Sequence, residues 1–228
     1  AGTRAPFLRS FALLLIAYTL AGIAGLQFAM ASGAASPVWP AAGIAVACLY
    51  HAGRRMWPGV VLGVIAAYQL TGADIPVWSQ LVIGFGNAAA AVAAVELIRR
   101  FGGPAFASLA SLRSILVLLV ASVVGGAVAA LVGPTSRVVA GVLTDETSLA
   151  VYEGWFVGDA VGILLVAALV ISWRSTAWSE LTARRLVHLS AVLLAVAALC
   201  WMIFFAAAAP RAWAIYPALV WAALACQV

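Results

Sequence analysis

The sequence has no lysine and little charge of either sign. Charged residues make up 8% of its 228 positions, against roughly 25% in a soluble globular domain. A chain so poor in charge cannot cover itself with a water-facing surface, and a soluble enzyme or soluble binding module is excluded. Cysteine is scarce as well. Cys48, Cys200 and Cys226 all fall inside apolar runs, without C-x-x-C or zinc-ligand spacing, and read as small apolar residues. The two histidines, His51 and His188, have no carboxylate or cysteine at ligand spacing, so no metal, haem or other cofactor is expected. There is no G-x-S-x-G, H-E-x-x-H, P-loop or dinucleotide fingerprint. No cleavable signal is evident, because the run from Phe7 to Met30 is too long for a signal core.

What is present is apolar: 66% of the residues are hydrophobic. The composition is that of an integral membrane protein. The formal charge of +5 comes entirely from arginine, and in such a protein the excess sets orientation and does not mark nucleic-acid binding. A span needs about 20 apolar residues, with a range of roughly 17–25. Eight candidates follow: Phe7 to Met30, Pro37 to Ala52, Met56 to Leu70, Pro76 to Leu97, Ser114 to Val132, Trp155 to Trp173, Leu186 to Ala207, and Pro210 to Val228. If they alternate, Arg4, Arg9, Arg54, Arg55, Arg99, Arg100, Arg113, Arg174, Arg184 and Arg185 all fall on one side. Only Arg137 and Arg211 fall on the other. The positive-inside rule makes the basic side cytoplasmic. The expected fold is an all-α, polytopic transmembrane helical bundle of about eight spans with both termini cytoplasmic.

The pair Trp-Pro occurs twice, at Trp39-Pro40 and Trp57-Pro58, each at the head of an apolar run. Proline suits the first helical position, where its missing N–H is no loss, and tryptophan suits the water–lipid interface. Arg54 and Arg55 mark the turn between the two runs, which together predict a short hairpin. A helix from Pro40 to Ala52 rises only about 20 Å, less than a hydrocarbon core about 30 Å thick. Two readings fit. Ser36-Pro37-Val38 enters the membrane unwound beside a binding site, or the span is tilted in a locally thinned bilayer.

Ionisable groups inside spans are costly and mark functional candidates. Asp159, in WFVGDAVG, shares a helical face with Trp155 and lies about 6 Å below the outer end of its span at 1.5 Å per residue. A nearby helix N-terminus would favour its charge there. It is read either as a ligand contact or as helix glue paired with Arg137, Arg211 or Asn87. Asn87, in GFGNAAAA, suits an interhelical hydrogen bond. Gln27, Tyr68, Gln69 and Gln80 fall toward the outer half. With Trp39, Trp155 and Asp159 they would rim an outward-facing pocket. Glu96 has helical ion-pair spacing to Arg99 and Arg100. The segment from Thr135 to Glu153 reads as the longest connection, part of it lying along the membrane surface.

The order VWPAAGIA, RRMWPGVVLG, GNAAAA, WFVGDAVGILLV and the closing YPALVWAAL resembles the first membrane-associated sensor family, MASE-one (MASE1), over nearly the whole chain. Three positions depart from that pattern. Trp155-Phe156 stands for paired tryptophans, Ala167-Ala168 for a proline, and the end near Ala225-Cys226-Gln227 lacks a closing basic residue. The resemblance implies a sensory region with no catalytic residues of its own. It also implies a cytoplasmic histidine kinase or diguanylate cyclase module after Val228, and action as a homodimer. Trp39, Pro40, Asn87, Trp155 and Asp159 are then the expected sensing residues. Membrane lipids are the expected surroundings, and a small-molecule ligand or a partner membrane protein would each serve as input; nucleic acid would not. A small-molecule transporter or substrate-capture subunit, and a docking platform for another membrane protein, are the rival readings.

Overall fold

The computed structural model describes residues 4–32, 36, 38–143 and 145–175, and the single helical positions 187, 190, 191 and 194. The chain divides into two compact units, Ala1–Thr176 and Ala177–Val228. Only those four isolated positions of the second unit are described. The expected spans from Leu186 and from Pro210 therefore lie almost wholly outside the described residues, as do His188, Cys200, Arg211 and Cys226.

Among its described residues the first unit is helical, without strands. Its elements are α1 (Arg4–Ser32), α2 (Pro40–Ala52), α3 (Trp57–Thr71), α4 (Val77–Phe101), α5 (Leu112–Val139), α6 (Asp145–Gly162) and α7 (Ala168–Ser175). A tight 3₁₀ turn, Arg54–Met56, joins α2 to α3, and one π-helical segment, Ile163–Ala167, makes α6 and α7 continuous. Four stretches are long and apolar enough to cross a membrane: Pro6–Gln27, Val77–Phe101, Leu112–Val139 and Leu149–Trp173.

Local chemistry sets the boundaries. Pro40 and Pro58 stand in the first turns of α2 and α3, as their missing N–H groups allow. Gly72 ends α3 in the left-handed region at φ 65°, where a side chain would be strained. Ser111 starts α5, its hydroxyl accepting from the Ser114 N–H at 3.1 Å. Two arginines finish neighbouring helices. Arg99 donates to the Leu49 and Tyr50 carbonyls at the end of α2 (3.2 and 3.0 Å), and Arg113 donates to the Phe101 carbonyl at the end of α4 (2.8 Å). Glu96 does not pair with Arg99 or Arg100 as its spacing predicts. With Arg99 turned to α2, Glu96 accepts from Arg54 in the 3₁₀ turn at 2.8 Å.

The expected surface connection from Thr135 to Glu153 is also corrected. Helix α5 runs through Pro134 to Val139 and α6 begins at Asp145, so the linker is short. Pro134 stands inside the helix, and hydroxyls next to it donate to backbone carbonyls of the same turn. Ser136 donates back to the Gly133 carbonyl at 2.9 Å. Having spent its proton there, Ser136 accepts from Ser79 of α4 at 3.0 Å, with both serines buried.

The short helix α2 is the centre of the unit. It packs against α1, α4, α6, α7 and the π segment. Ala41, Ala42, Gly43, Ala45, Val46, Ala47 and Leu49 are all buried. Its shortness is that of an interior helix, one that need not match a lipid thickness. Small residues permit the approach. A Cβ on Gly43 would run into the Gly162 carbonyl, and one on Gly162 into the Trp39 carbonyl. The apolar residues left exposed, such as Leu8, Leu13, Ile16 and Leu20 on α1 and Ile115, Leu116, Leu119 and Val120 on α5, form the faces a bilayer would cover.

Candidate functional site

Just before α2 the backbone is not helical at Ser36, Val38 and Trp39, and Ser36 is buried. This segment leans on α6. The Trp39 N–H donates to the Gly158 carbonyl at 2.8 Å. The Ser36 carbonyl lies so close to Gly158 that a Cβ there would clash with it. The Ser36 hydroxyl donates to the Val38 carbonyl at 2.6 Å, satisfying a group that no helix serves. Irregular backbone is therefore buried in protein, the circumstance in which a membrane domain tolerates it.

Three buried polar side chains lie in this part of the bundle, two of them in contact. Asn87 of α4 donates through Nδ2 to the Tyr18 hydroxyl of α1 at 3.0 Å. Asp159 of α6 is close enough to interact electrostatically with both the Tyr18 and Tyr68 hydroxyls. Exposures of 0% for Tyr18, 6% for Asn87 and 3% for Asp159 put all three beyond water. Each stands nine or ten residues from an end of its apolar stretch: Tyr18 from Gln27, Asn87 from Val77, Asp159 from Leu149. At 1.5 Å per residue that is about 14–15 Å, half of a hydrocarbon core about 30 Å thick. The cluster stands near the middle of those apolar stretches.

This depth corrects the sequence expectation for Asp159. Because α6 begins at Asp145, Asp159 is nearly four turns inside a helix. The positive end of that helix is too far away to stabilise a carboxylate, since the effect fades within the first turn. The expected pairings differ too. Among the described residues none forms an ion pair with Asp159. The Arg137 guanidinium instead lies over the Trp155 ring at 6.0 Å, and Asn87 turns to Tyr18.

Of the five expected site residues, Trp39, Asn87 and Asp159 gather around Tyr18. The Trp39 ring covers Gly22 and Gly25 of α1, and its indole N–H approaches the Tyr18 hydroxyl without completing a hydrogen bond. Pro40 contributes by starting α2. Trp155 faces α5, where its ring fills the space left by Gly133, one turn from Asp159 along α6. The surrounding glutamines form a chain of their own: Gln69 donates to Gln80 at 3.1 Å, and Gln80 to the Ile75 carbonyl at 2.8 Å. Gln27 is exposed and takes no part.

Tyr18 is the residue that reading the sequence overlooks. The signal was available: Leu14, Tyr18, Gly22 and Gly25 recur at helical spacing on one buried face of α1. A tyrosine on a face of glycines, in a helix otherwise apolar, is placed to send its hydroxyl into the bundle. Immediately after Asp159 and Gly162 comes the π segment, Ile163–Ala167. Such i→i+5 irregularities in helices are frequent at functional sites. Helix α2 lies against this segment, with Gly43 touching the Gly162 carbonyl and the Ala167 N–H. A change at Asp159 is thus one turn from the irregular turn of its own helix.

The sequence model of the MASE1 family matches residues 9–228. No curated protein and no solved structure gives a match. An all-helical, apolar architecture with four membrane-length helices fits that family, and the chain belongs to MASE1, a family of membrane sensory domains that serve signalling proteins as input regions without catalytic function.

Proposed function

We propose that this chain is the input region of a bacterial inner-membrane signalling protein. In this reading it crosses the membrane eight times and keeps both termini in the cytoplasm. It works as a homodimer and passes a periplasmic or intramembrane signal to a histidine kinase or diguanylate cyclase module following Val228. Trp39, Pro40, Asn87, Trp155 and Asp159 form the sensing region, with Tyr18 added to them. The observation that carries the reading is the position of Asp159. A buried acid without an ion-pair partner among the described residues is costly to keep, and it lies one turn before the π segment of the helix that leads toward the arginine-rich side. Occupancy or charge at Asp159 would bias the packing of that segment against α2, a two-state element of the kind signalling requires.

The test is Asp159→Asn in the full-length protein. Output, read as autophosphorylation or cyclic dinucleotide formation, should change at least about fivefold, the lower end of common coupling energies. Membrane insertion should be retained. Unchanged output in a correctly inserted variant would remove Asp159 from the sensing site and favour the docking of a partner membrane protein as the input.

A further inference from the structure

The turn from α4 to α5 sends two phenylalanines to opposite sides. Phe106 is buried, its ring packed on Tyr50 near the end of α2 with centroids 5.7 Å apart. Gly102 makes room for it, since a Cβ there would run into the Phe106 ring. Phe101 stays outside, 46% exposed. With Leu97 one turn before it on α4, Phe101 walls a groove whose other side is Leu116, Val117 and Val120 of α5. All five side chains are hydrocarbon. The groove offers about 300 Å³, the lower end of the range for small-molecule sites.

Two arginines converge on the same phenylalanine at the mouth of this groove. Arg113 donates through Nε to the Phe101 carbonyl at 2.8 Å, and the Arg100 guanidinium stands 5.6 Å from the centre of the Phe101 ring. Both are exposed, and among the described residues neither meets a carboxylate. The nearby Glu96 is taken by Arg54, and Arg99 is turned to the carbonyls ending α2. An apolar channel between two membrane-length helices is thus capped by two uncompensated positive charges. Its complement is a molecule with a hydrocarbon tail and a negatively charged, oxygen-rich head. The planar guanidinium fork matches phosphate oxygens, and basic pockets between membrane helices take up anionic lipid headgroups. A zwitterionic lipid brings its own cation and would leave the arginines without net neutralisation. We propose that the α4–α5 groove binds an anionic phospholipid, with an acyl chain along Phe101, Leu116 and Val120 and its phosphate between Arg100 and Arg113. This goes beyond the sensing reading above and does not depend on Asp159.

The test titrates the full-length protein, in mild detergent, with phosphatidylglycerol and reads bound lipid by native mass spectrometry. Phosphatidylcholine is the zwitterionic reference, and glycerophosphoglycerol supplies the same anionic head without acyl chains. Phosphatidylglycerol should bind saturably and about fivefold or more tighter than phosphatidylcholine. Arg100→Gln leaves the Arg113–Phe101 hydrogen bond in place, and Val120→Phe fills the groove from a position 52% exposed. Each should weaken phosphatidylglycerol binding about fivefold or more. Arg55→Gln should not, although Arg55 likewise stands over a phenylalanine ring, that of Phe7 at 5.3 Å. Equal losses in Arg55→Gln and Arg100→Gln overturn the proposal, because the attraction would then be diffuse surface charge. Glycerophosphoglycerol binding as tightly as the lipid also overturns it and leaves an anion site without a role for the groove. A wild-type protein that binds no phosphatidylglycerol, with a subunit count that falls in Val120→Phe, overturns it by giving the groove to a second copy of the chain.

Discussion

The hydrogen bond from Asn87 to Tyr18 is buried between α1 and α4, and the Arg54–Glu96 ion pair lies at the surface with both side chains more than half exposed. Their lengths are 3.0 and 2.8 Å, yet their energetic weights differ. Removing the Tyr18 hydroxyl strands the Asn87 amide at both ends in a dry interior, at a cost of about 1–3 kcal/mol. Removing the Glu96 charge releases two solvated side chains, worth about 0.2–1 kcal/mol. Tyr18→Phe should therefore lower the thermal midpoint in detergent several times more than Glu96→Gln. Equal shifts would mean that water reaches Asn87. The charge of Glu96 and its place at a helix end are legible in the sequence. Its partner is not, since Arg54, 42 positions away, becomes a neighbour only when α2 turns back into α3.

At the scale of elements, glycine positions decide how near α2 comes to the π segment. A methyl group on Gly43 would meet the backbone of Gly162 and Ala167, atoms that cannot move without moving a helix. A methyl group on Gly125 would meet the Ile163 Cδ1 at 2.6 Å, the free end of a side chain. Overpacking a close-fitted interior costs about 1–3 kcal/mol, occasionally more. Gly43→Ala should fall at or above the top of that range, and Gly125→Ala near its lower end, where Ile163 can change rotamer. Equal midpoints for the two variants would show that α2 is free to shift. The π segment offers a companion test. Deleting Leu165, 58% exposed, should let the helix close into regular α geometry. The deletion variant should remain inserted, while output from the full-length protein ceases to respond to its stimulus.

For the whole molecule, ten of the twelve arginines define one face in an eight-span arrangement. The described helix ends agree with the grouping. Arg54, Arg99 and Arg113 all engage the termini where α2, α4 and α5 meet. With the native cysteines replaced by alanine, single cysteines at positions 55 and 74 report the orientation directly. A membrane-impermeant maleimide should label position 74 in intact spheroplasts and position 55 only after permeabilisation. The reverse pattern would invert the topology and put the Asp159 side of the bundle on a different footing.

Composition and periodicity alone determined the membrane class, the helical fold, and the Trp-Pro starts of α2 and α3. These are properties of single segments, set by hydrophobic length and by proline's fixed φ. The motif residues Trp39, Asn87 and Asp159 were legible for the same reason, since each is an exception to the apolar pattern of its own helix. Only the tertiary structure decided that α2 is interior and not a thinned span, because burial depends on what surrounds a helix. It also decided that α5 passes through Pro134, that Asp159 stands nearly four turns inside α6, and that Tyr18 holds Asn87 with its carbonyl oxygen unpartnered. Those facts depend on contacts between residues far apart in the chain, and no local pattern encodes which side chains will face one another once the helices pack.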